Sequence, residues 1–234
     1  MQIEVLGSSS AGNAYMVSDG NTSLLLDCGL PIKELQIKSN FRIAQASGCL
    51  ISHLHLDHSK SASDVVKLGV DIYAPPETIT ALNLSGHRVH SVLPGETFTV
   101  GTFTVLPIQM YHDCTCYGYL ISSQSTRKKL FFATDTYKIT INPKGIDYLI
   151  VEINYQMDII NRLVNDGLVE PSIRGRLLQS HFELSDALAW LQRIDKSRLK
   201  RIYIAHLSSG NSNAEEIKRA VIGATGIPTT ICEV

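Results

Sequence analysis

Residues 51–61 read ISHLHLDHSKS, which places His53, His55, Asp57 and His58 within six consecutive positions of a chain that has only eight histidines. Ile51 and the Cys-Leu before it end a short apolar run that reads as a buried strand. Beyond it, in extended chain, His53 and His55 point to the same side. Asp57 and His58 then open SKSASDVVKLG, which reads as a helix, so the fold must turn sharply here and gather these side chains. A single imidazole at a strand end is ordinarily just a hydrogen-bonded one, but packing does not explain three with a carboxylate among them. Imidazole and carboxylate are the ligands a borderline divalent metal prefers. One ion takes about three or four protein ligands, and four this close in sequence cannot all reach one ion. Two metals fit better, with further ligands supplied from elsewhere in the chain.

The 234 residues are 44% hydrophobic and 18% charged, enough for a normal core, and one domain over 1–234 is expected. A net charge of -1 is a poor electrostatic footprint for gripping long nucleic acid. The start, MQIEVLGSSS, lacks a basic region followed by an apolar run, and no stretch reaches the roughly 18 apolar residues of a membrane helix. Five cysteines, Cys28, Cys49, Cys114, Cys116 and Cys232, form no C-x-x-C pair. Free thiols in a reducing, cytoplasmic setting are expected. Alternation in DCTCYGYLI puts Cys114 and Cys116 on one face of a strand as buried small hydrophobes. A metal role beside His112 is the competing reading.

Short apolar runs bounded by turn signals dominate the first half: QIEVLG, NAYMVSDG, SLLLDCG, GCLISH, VDIYAP and HSVLPG. ETFTVGTFTVLPIQM reads as a hairpin broken at Gly101, followed by strands at CYGYLISS, KKLFFATD, YLIVEIN, RIYIAHLS and TTICEV. Helices are expected at KSASDVVKLG, PPETITALNLSG, NYQMDIINRLVNDG, LSDALAWLQRIDK with Ser185 as N-cap, and SNAEEIKRAVIGATG with a Ser or Asn cap. Strands with helices between and after them argue for two sheets covered by helices.

His and Asp residues standing just after predicted strands supply the missing ligands. Asp27 follows SLLL, His112 follows VLPIQMY, Asp135 follows KLFFAT and His206 follows RIYIA. Strand ends opening into loops are the usual address of site residues on a rigid scaffold. HLHLDH, with these partners in order, resembles the H-x-H-x-D-H pattern of the metallo-β-lactamase-fold hydrolases. The resemblance covers nearly the whole chain and implies an α/β fold, the four-layer αββα sandwich, with a dinuclear centre. It implies one metal on His53, His55, His112 and bridging Asp135, and another on Asp57, His58, Asp135 and His206. Asp27 would orient a ligand and its water. Two zinc ions per chain are expected, with manganese the alternative.

Two further stretches are similar to the small phosphodiesterase and nuclease branch. GSSSAGNAY, residues 7–15, resembles its G-S-S-x-G-N segment, where Ser9 and Asn13 could contact a phosphate or hold the Asp27 loop. An ordinary polar hairpin turn is the competing reading. Residues 152–187 resemble its E-x-N…R…H-L-S stretch, implying substrate contacts from Asn154 and Arg174. By the same match His181 is a catalytic histidine that protonates the leaving oxygen, while Asp57 orients the nucleophile. Here the sequence departs from the commoner Gly-His-Leu-Ser-Asn, reading Ser-His-Phe-Glu-Leu-Ser-Asp, and a surface histidine before a helix is the competing reading.

No arm, inserted domain or basic stripe is visible; RKK at 127–129 is the densest basic run. Affinity for long nucleic acid depends on neutralising many phosphates, so a small cyclic nucleotide is the expected substrate and no stable long nucleic-acid complex is expected. In size and pattern the chain is most similar to the anti-Pycsar family, which implies a cytoplasmic homodimer hydrolysing 3′,5′-cyclic CMP, cyclic UMP and other cyclic mononucleotides, countering immune signalling. Tyr111, Tyr117, Tyr137 and Tyr155 lie near site loops, where they could stack on a base or pack in the core or rim. A DNA or RNA exonuclease of the small bacterial type is the alternative enzyme, thiol-ester or lactone hydrolysis comes third, and a metal-binding regulator is the non-enzymatic alternative.

Overall fold

Met16, Leu25, Cys49 and Ile72 stand abreast across four neighbouring strands, and this row of apolar side chains is what one face of a half-buried sheet requires. The structure, a computed structural model, describes residues 1–232. It divides into two compact units, Met1–Gln109 with Cys114–Lys129 and Met110–Asp113 with Leu130–Cys232.

In the first unit a six-stranded sheet runs in chain order through β1 (Gln2–Gly7), β2 (Ala14–Ser18), β3 (Ser23–Leu26), β4 (Gly48–Leu50), β5 (Ile72–Ala74) and β6 (Val89–Ser91). Pairing is antiparallel from β1 to β3 and parallel from β3 to β6. The apolar row packs with Leu35 of α1 (Ile32–Lys38), Ile43 of a 3-10 turn and Val65 of α3 (Ala62–Lys67). Between β4 and α3 lies the single turn α2 (Leu56–Ser59), and α4 (Pro76–Ala81) follows β5. The helix expected to open at Asp57 and His58 and run through SKSASDVVKLG is therefore two pieces, broken at Lys60 and Ser61.

An antiparallel ribbon completes this unit: β7 (Phe98–Val100), β8 (Phe103–Gln109) and β9 (Tyr117–Ser123). The expected hairpin turns at Gly101, whose φ is 55° and whose missing Cβ would lie 2.4 Å from Thr22 Oγ1. Only glycine fits there. The Tyr119 hydroxyl donates to the Ile51 carbonyl at 2.7 Å and the Tyr117 N–H to Ser52 at 2.9 Å. These bonds fix the strand exit that carries His53.

The second unit is built on parallel strands β10 (Lys129–Ala133), β11 (Tyr148–Glu152), β12 (Arg201–Ala205) and β13 (Thr229–Ile231). Their near-continuous apolar runs suit parallel strands buried on both faces. Ala133, Val151, Ile204 and Ile231 are in register, so the carboxyl ends of the strands line up, and residues just beyond them share one edge. That edge is where open α/β sheets bind ligands. The helices are α5 (Met157–Asn165), α6 (Pro171–Ser180), α7 (Leu184–Arg193) and α8 (Ala214–Thr225). Trp190 of α7 is buried near Phe131 and Phe182, with its Nε1–H donating to the Ile141 carbonyl at 2.9 Å.

The α7 cap differs from expectation. Glu183, not Ser185, is the N-cap, and its carboxylate accepts from the N–H groups of Ser185 and Asp186 and also from Met157 at the start of α5. A longer side chain can serve two helix starts at once. Asn213 caps α8 as expected. Residues 233 and 234 of the expected last strand lie outside the described residues. Among the described residues no helix is long and apolar enough to cross a membrane.

Candidate metal centre

Within the first unit the histidine stretch is held by its neighbours through hydrogen bonds that settle the tautomers of His53 and His58. Asp27 leaves β3 with a φ of 56°, in the left-handed region that Asp tolerates better than most residues. Its buried carboxylate accepts from the Ser52 N–H at 2.7 Å, the Ser52 hydroxyl at 3.0 Å and His58 Nδ1 at 2.7 Å. An ionised carboxylate only accepts, so His58 carries its proton on Nδ1 and presents the Nε2 lone pair. With the Ser52 hydroxyl donating to Asp27, His53 Nδ1 donates to Ser52 Oγ at 3.0 Å, and its Nε2 lone pair is likewise presented. That nitrogen faces His55 Nδ1 at 3.0 Å. His58 Nε2 lies 3.5 Å from Asp57 Oδ2.

The backbone here is clamped as tightly as the side chains. Asn13 N–H donates to the Asp57 carbonyl at 2.7 Å and Cys28 N–H to the His58 carbonyl at 2.8 Å. A Cβ on Gly29 would lie 1.7 Å from the Asp57 carbonyl oxygen, so the ligand loop rests directly on glycine backbone. The Asn13 amide is buried against the Ser9 carbonyl, the Asp57 carbonyl and His58 Nε2. Ser9 Oγ accepts from the Ala11 N–H. The structure thus places the 7–15 stretch around the ligand loop.

In the second unit Asp135, Glu152, His181 and His206 each offer a ligand atom within 4.8 Å of the others. Asp135 and His206, just past β10 and β12, have φ of 49° and 52°. Three of the expected site residues, counting Asp27, thus stand in sparsely populated backbone conformations, which cluster at functional sites. His206 Nδ1 lies 2.7 Å from Asp135 Oδ1 and 3.4 Å from Glu152 Oε1. His181 Nδ1 lies 2.5 Å from Glu152 Oε1, and Glu152 Oε2 accepts from the Thr136 N–H at 3.0 Å. The Asn154 amide donates to the His206 carbonyl at 2.7 Å. His112 Nδ1 lies 2.8 Å from the Ser180 carbonyl, which can only accept, so this imidazole too has its lone pair on Nε2.

Charge dominates this cluster. Burial opposes protonation of His206, but Asp135 and Glu152 outweigh it and push its pKa up to about 10. Burial would raise the Glu152 carboxyl, yet His181 and His206 hold it below its ordinary value. Burial likewise disfavours charge on His181, and Glu152 reverses the direction to a raised pKa. Two buried carboxylates thus demand positive charge beside them. His112 is shifted the other way, lowered by burial. Neutral His112 directs its Nε2 lone pair to Asp113 Oδ1 at 3.1 Å and Asp135 Oδ2 at 4.0 Å. Acceptors facing acceptors need a proton or a metal ion between them, and imidazole with carboxylate is the donor set of a zinc-class ion. The residues present fit such a metal.

Of the expected residues, Asp27, His53, His55, Asp57 and His58 gather in the first unit. His112, Asp135, His181 and His206 gather in the second, where the His181 ring lies 5.8 Å from that of His112 and 5.3 Å from that of His206. Arg174 sits apart from this group, on α6, donating to Asn161 Oδ1 at 2.7 Å and touching Met157 Sδ. Tyr117 and Tyr155 are buried. Tyr111 and Tyr137 are half-buried in edge contact, with Lys138 Nζ 4.2 Å from the Tyr111 ring centre. Two site residues were absent from the sequence expectation. Glu152 had a usable signal, a carboxylate ending the apolar run YLIVE like the other strand-end residues. Ser52 had none.

A profile of the Beta-lactamase superfamily domain matches residues 22–206. The chain belongs to that superfamily. It is 26% identical to the exodeoxyribonuclease YycJ of Bacillus anthracis over 94% of this chain and 86% of that protein. It is also 26% identical to the exodeoxyribonuclease WalJ of Streptococcus pneumoniae, over 90% and 83%. Among solved structures, the metallo-β-lactamase-fold protein YhfI of Bacillus subtilis aligns with a TM-score of 0.76 and 19% identity over 98% of this chain and 95% of that one. The fold is the mixed α/β metallo-β-lactamase sandwich that HLHLDH implied.

Proposed function

We propose that the protein is a metal-dependent phosphodiester hydrolase with a dinuclear centre. By the ligand order of the superfamily, His53, His55, His112 and Asp135 would hold one ion, and Asp57, His58, Asp135 and His206 the other. The observation that carries the proposal is the tautomer locking of His58 by Asp27 and of His112 by the Ser180 carbonyl. Fixing Nδ1 in this way is how proteins orient metal-binding imidazoles. Bound in pairs, such ions supply hydroxide at neutral pH and neutralise charge on phosphate oxygens. The chain supplies the rest. Asp57 orients the attacking water, and His181, held through Nδ1 by Glu152, delivers a proton from Nε2 to the leaving oxygen. Lys138 and the half-buried rings of Tyr111 and Tyr137 offer a cation and aromatic faces to the substrate.

The similarity to exodeoxyribonucleases over most of the chain favours DNA ends as substrate. A second reading, a homodimeric cyclic-nucleotide phosphodiesterase of the anti-Pycsar kind acting on cyclic CMP and cyclic UMP, is favoured by the net charge of -1. A single phosphate needs no long basic groove. Incubation of the metal-loaded protein with single- and double-stranded DNA and with a panel of cyclic mononucleotides, read by chromatography, separates them. DNA shortened from its ends supports the exonuclease, and linear monophosphates from cyclic substrates support the second reading. A loaded protein inert on all of them, and on an activated aryl phosphodiester, contradicts both.

A further inference from the structure

Cys114 has no part in the ligand order of the superfamily, yet its position is that of a ligand. The sequence put it on a strand as a buried apolar residue. In the structure β9 begins only at Tyr117, which leaves Cys114 in the preceding loop, half-buried, while Cys28, Cys49, Cys116 and Cys232 are buried. Its Sγ and one ring nitrogen each of His53 and His55 lie within 4.8 Å of one another. His53 is completely buried and its Nδ1 is engaged by Ser52, so the nitrogen it turns toward His55 is the unprotonated Nε2. Two imidazole nitrogens and a sulfur converging in this way form a donor set that selects zinc-class ions over hard, oxygen-seeking ones.

We propose that Cys114, as thiolate, is a ligand of the ion held by His53 and His55. The inference rests on the reading that these histidines bind metal. As the sulfur–metal bond forms, the S–H bond breaks and its proton leaves to solvent, so loading the site releases a proton. The thiolate cancels one of the ion's two charges and biases this position toward zinc or cobalt and away from manganese.

X-ray absorption at the zinc edge of the zinc-loaded full chain tests this. A sulfur scatterer at about 2.3 Å beside nitrogen and oxygen at about 2.0–2.2 Å is expected, lost in Cys114→Ser and kept in Cys116→Ala. Independently, Cys114 is the thiol of the native metal-free protein expected to react with a thiol reagent, and zinc should protect it. Zinc bound with nitrogen and oxygen neighbours alone, or a thiol equally reactive with and without zinc, overturns the inference while leaving the proposed function standing. Failure to bind any metal overturns both. If Cys114→Ser does not fold, the wild-type sulfur signal and the protection experiment still decide.

Discussion

His181 Nδ1 lies 2.5 Å from Glu152 Oε1, on a carboxylate that is completely buried. The same carboxylate reaches His206 Nδ1 at 3.4 Å and accepts the Thr136 N–H. One strand-end side chain thereby orients an imidazole assigned to the leaving group and another assigned to the metal.

Replacing His181 by Ala removes the proposed proton donor without touching either set of assigned ligands. Bound metal should be unchanged while turnover falls by about 10²–10⁴ on substrates with an alkoxide leaving group. An aryl phosphodiester, whose leaving group needs no proton, should be largely spared. Equal losses on both would reassign His181 to phosphate binding, and lost metal would make it a ligand.

Glu152→Gln should act through geometry. A neutral amide still fills the space but no longer anchors His181 as a charged acceptor, and a drop of about 10–100-fold in activity is expected. The aryl substrate should again suffer less than the alkoxide one. Uniform loss on both substrates would argue that Glu152 serves the metal rather than His181.

Asp27→Ala should weaken metal affinity by about 10–100-fold with every direct ligand present, because Ser52 and His58 lose the acceptor that fixes their orientation. Competition with a chromogenic chelator measures it. Unchanged affinity would show that the lock is dispensable.

Gly29→Ala should be among the most damaging single changes, since a Cβ there would lie 1.7 Å from the Asp57 carbonyl oxygen. Forcing the ligand loop away should cost about 3 kcal/mol or more and reduce metal content, seen in thermal melts and elemental analysis. Gly175→Ala on α6, where nothing lies near the added carbon, should be neutral or mildly stabilising. Tolerance of the first change would contradict the clamp.

The order of strands and the candidate site residues at their ends were legible because each strand is a short apolar run and each such residue a polar one that stops it. Asp27, Asp135 and His206 all follow this rule, and two of these runs, KLFFA and RIYIA, belong to buried parallel strands. Glu152 obeys it as well, as the last residue of its strand. Helix α6 was missed because PSIRGRLLQS has no continuous apolar stripe, and Ser180 is its buried residue. The left-handed backbone at Asp27, Asp135 and His206 could not be read either. Local sequence offers no glycine there, and tertiary hydrogen bonds impose the conformation. Cys114 was misplaced because period-two alternation runs through its loop into β9, and the chain becomes a strand only at Tyr117.

The most direct test of the account is a metal titration of the chelator-treated protein, with phosphodiester hydrolysis and thermal stability followed together. The account predicts two zinc-class ions bound per chain, activity that is absent without them and restored on reloading, and a melting temperature that rises with free metal as mass action requires. A fully folded, active protein that binds no metal would contradict it.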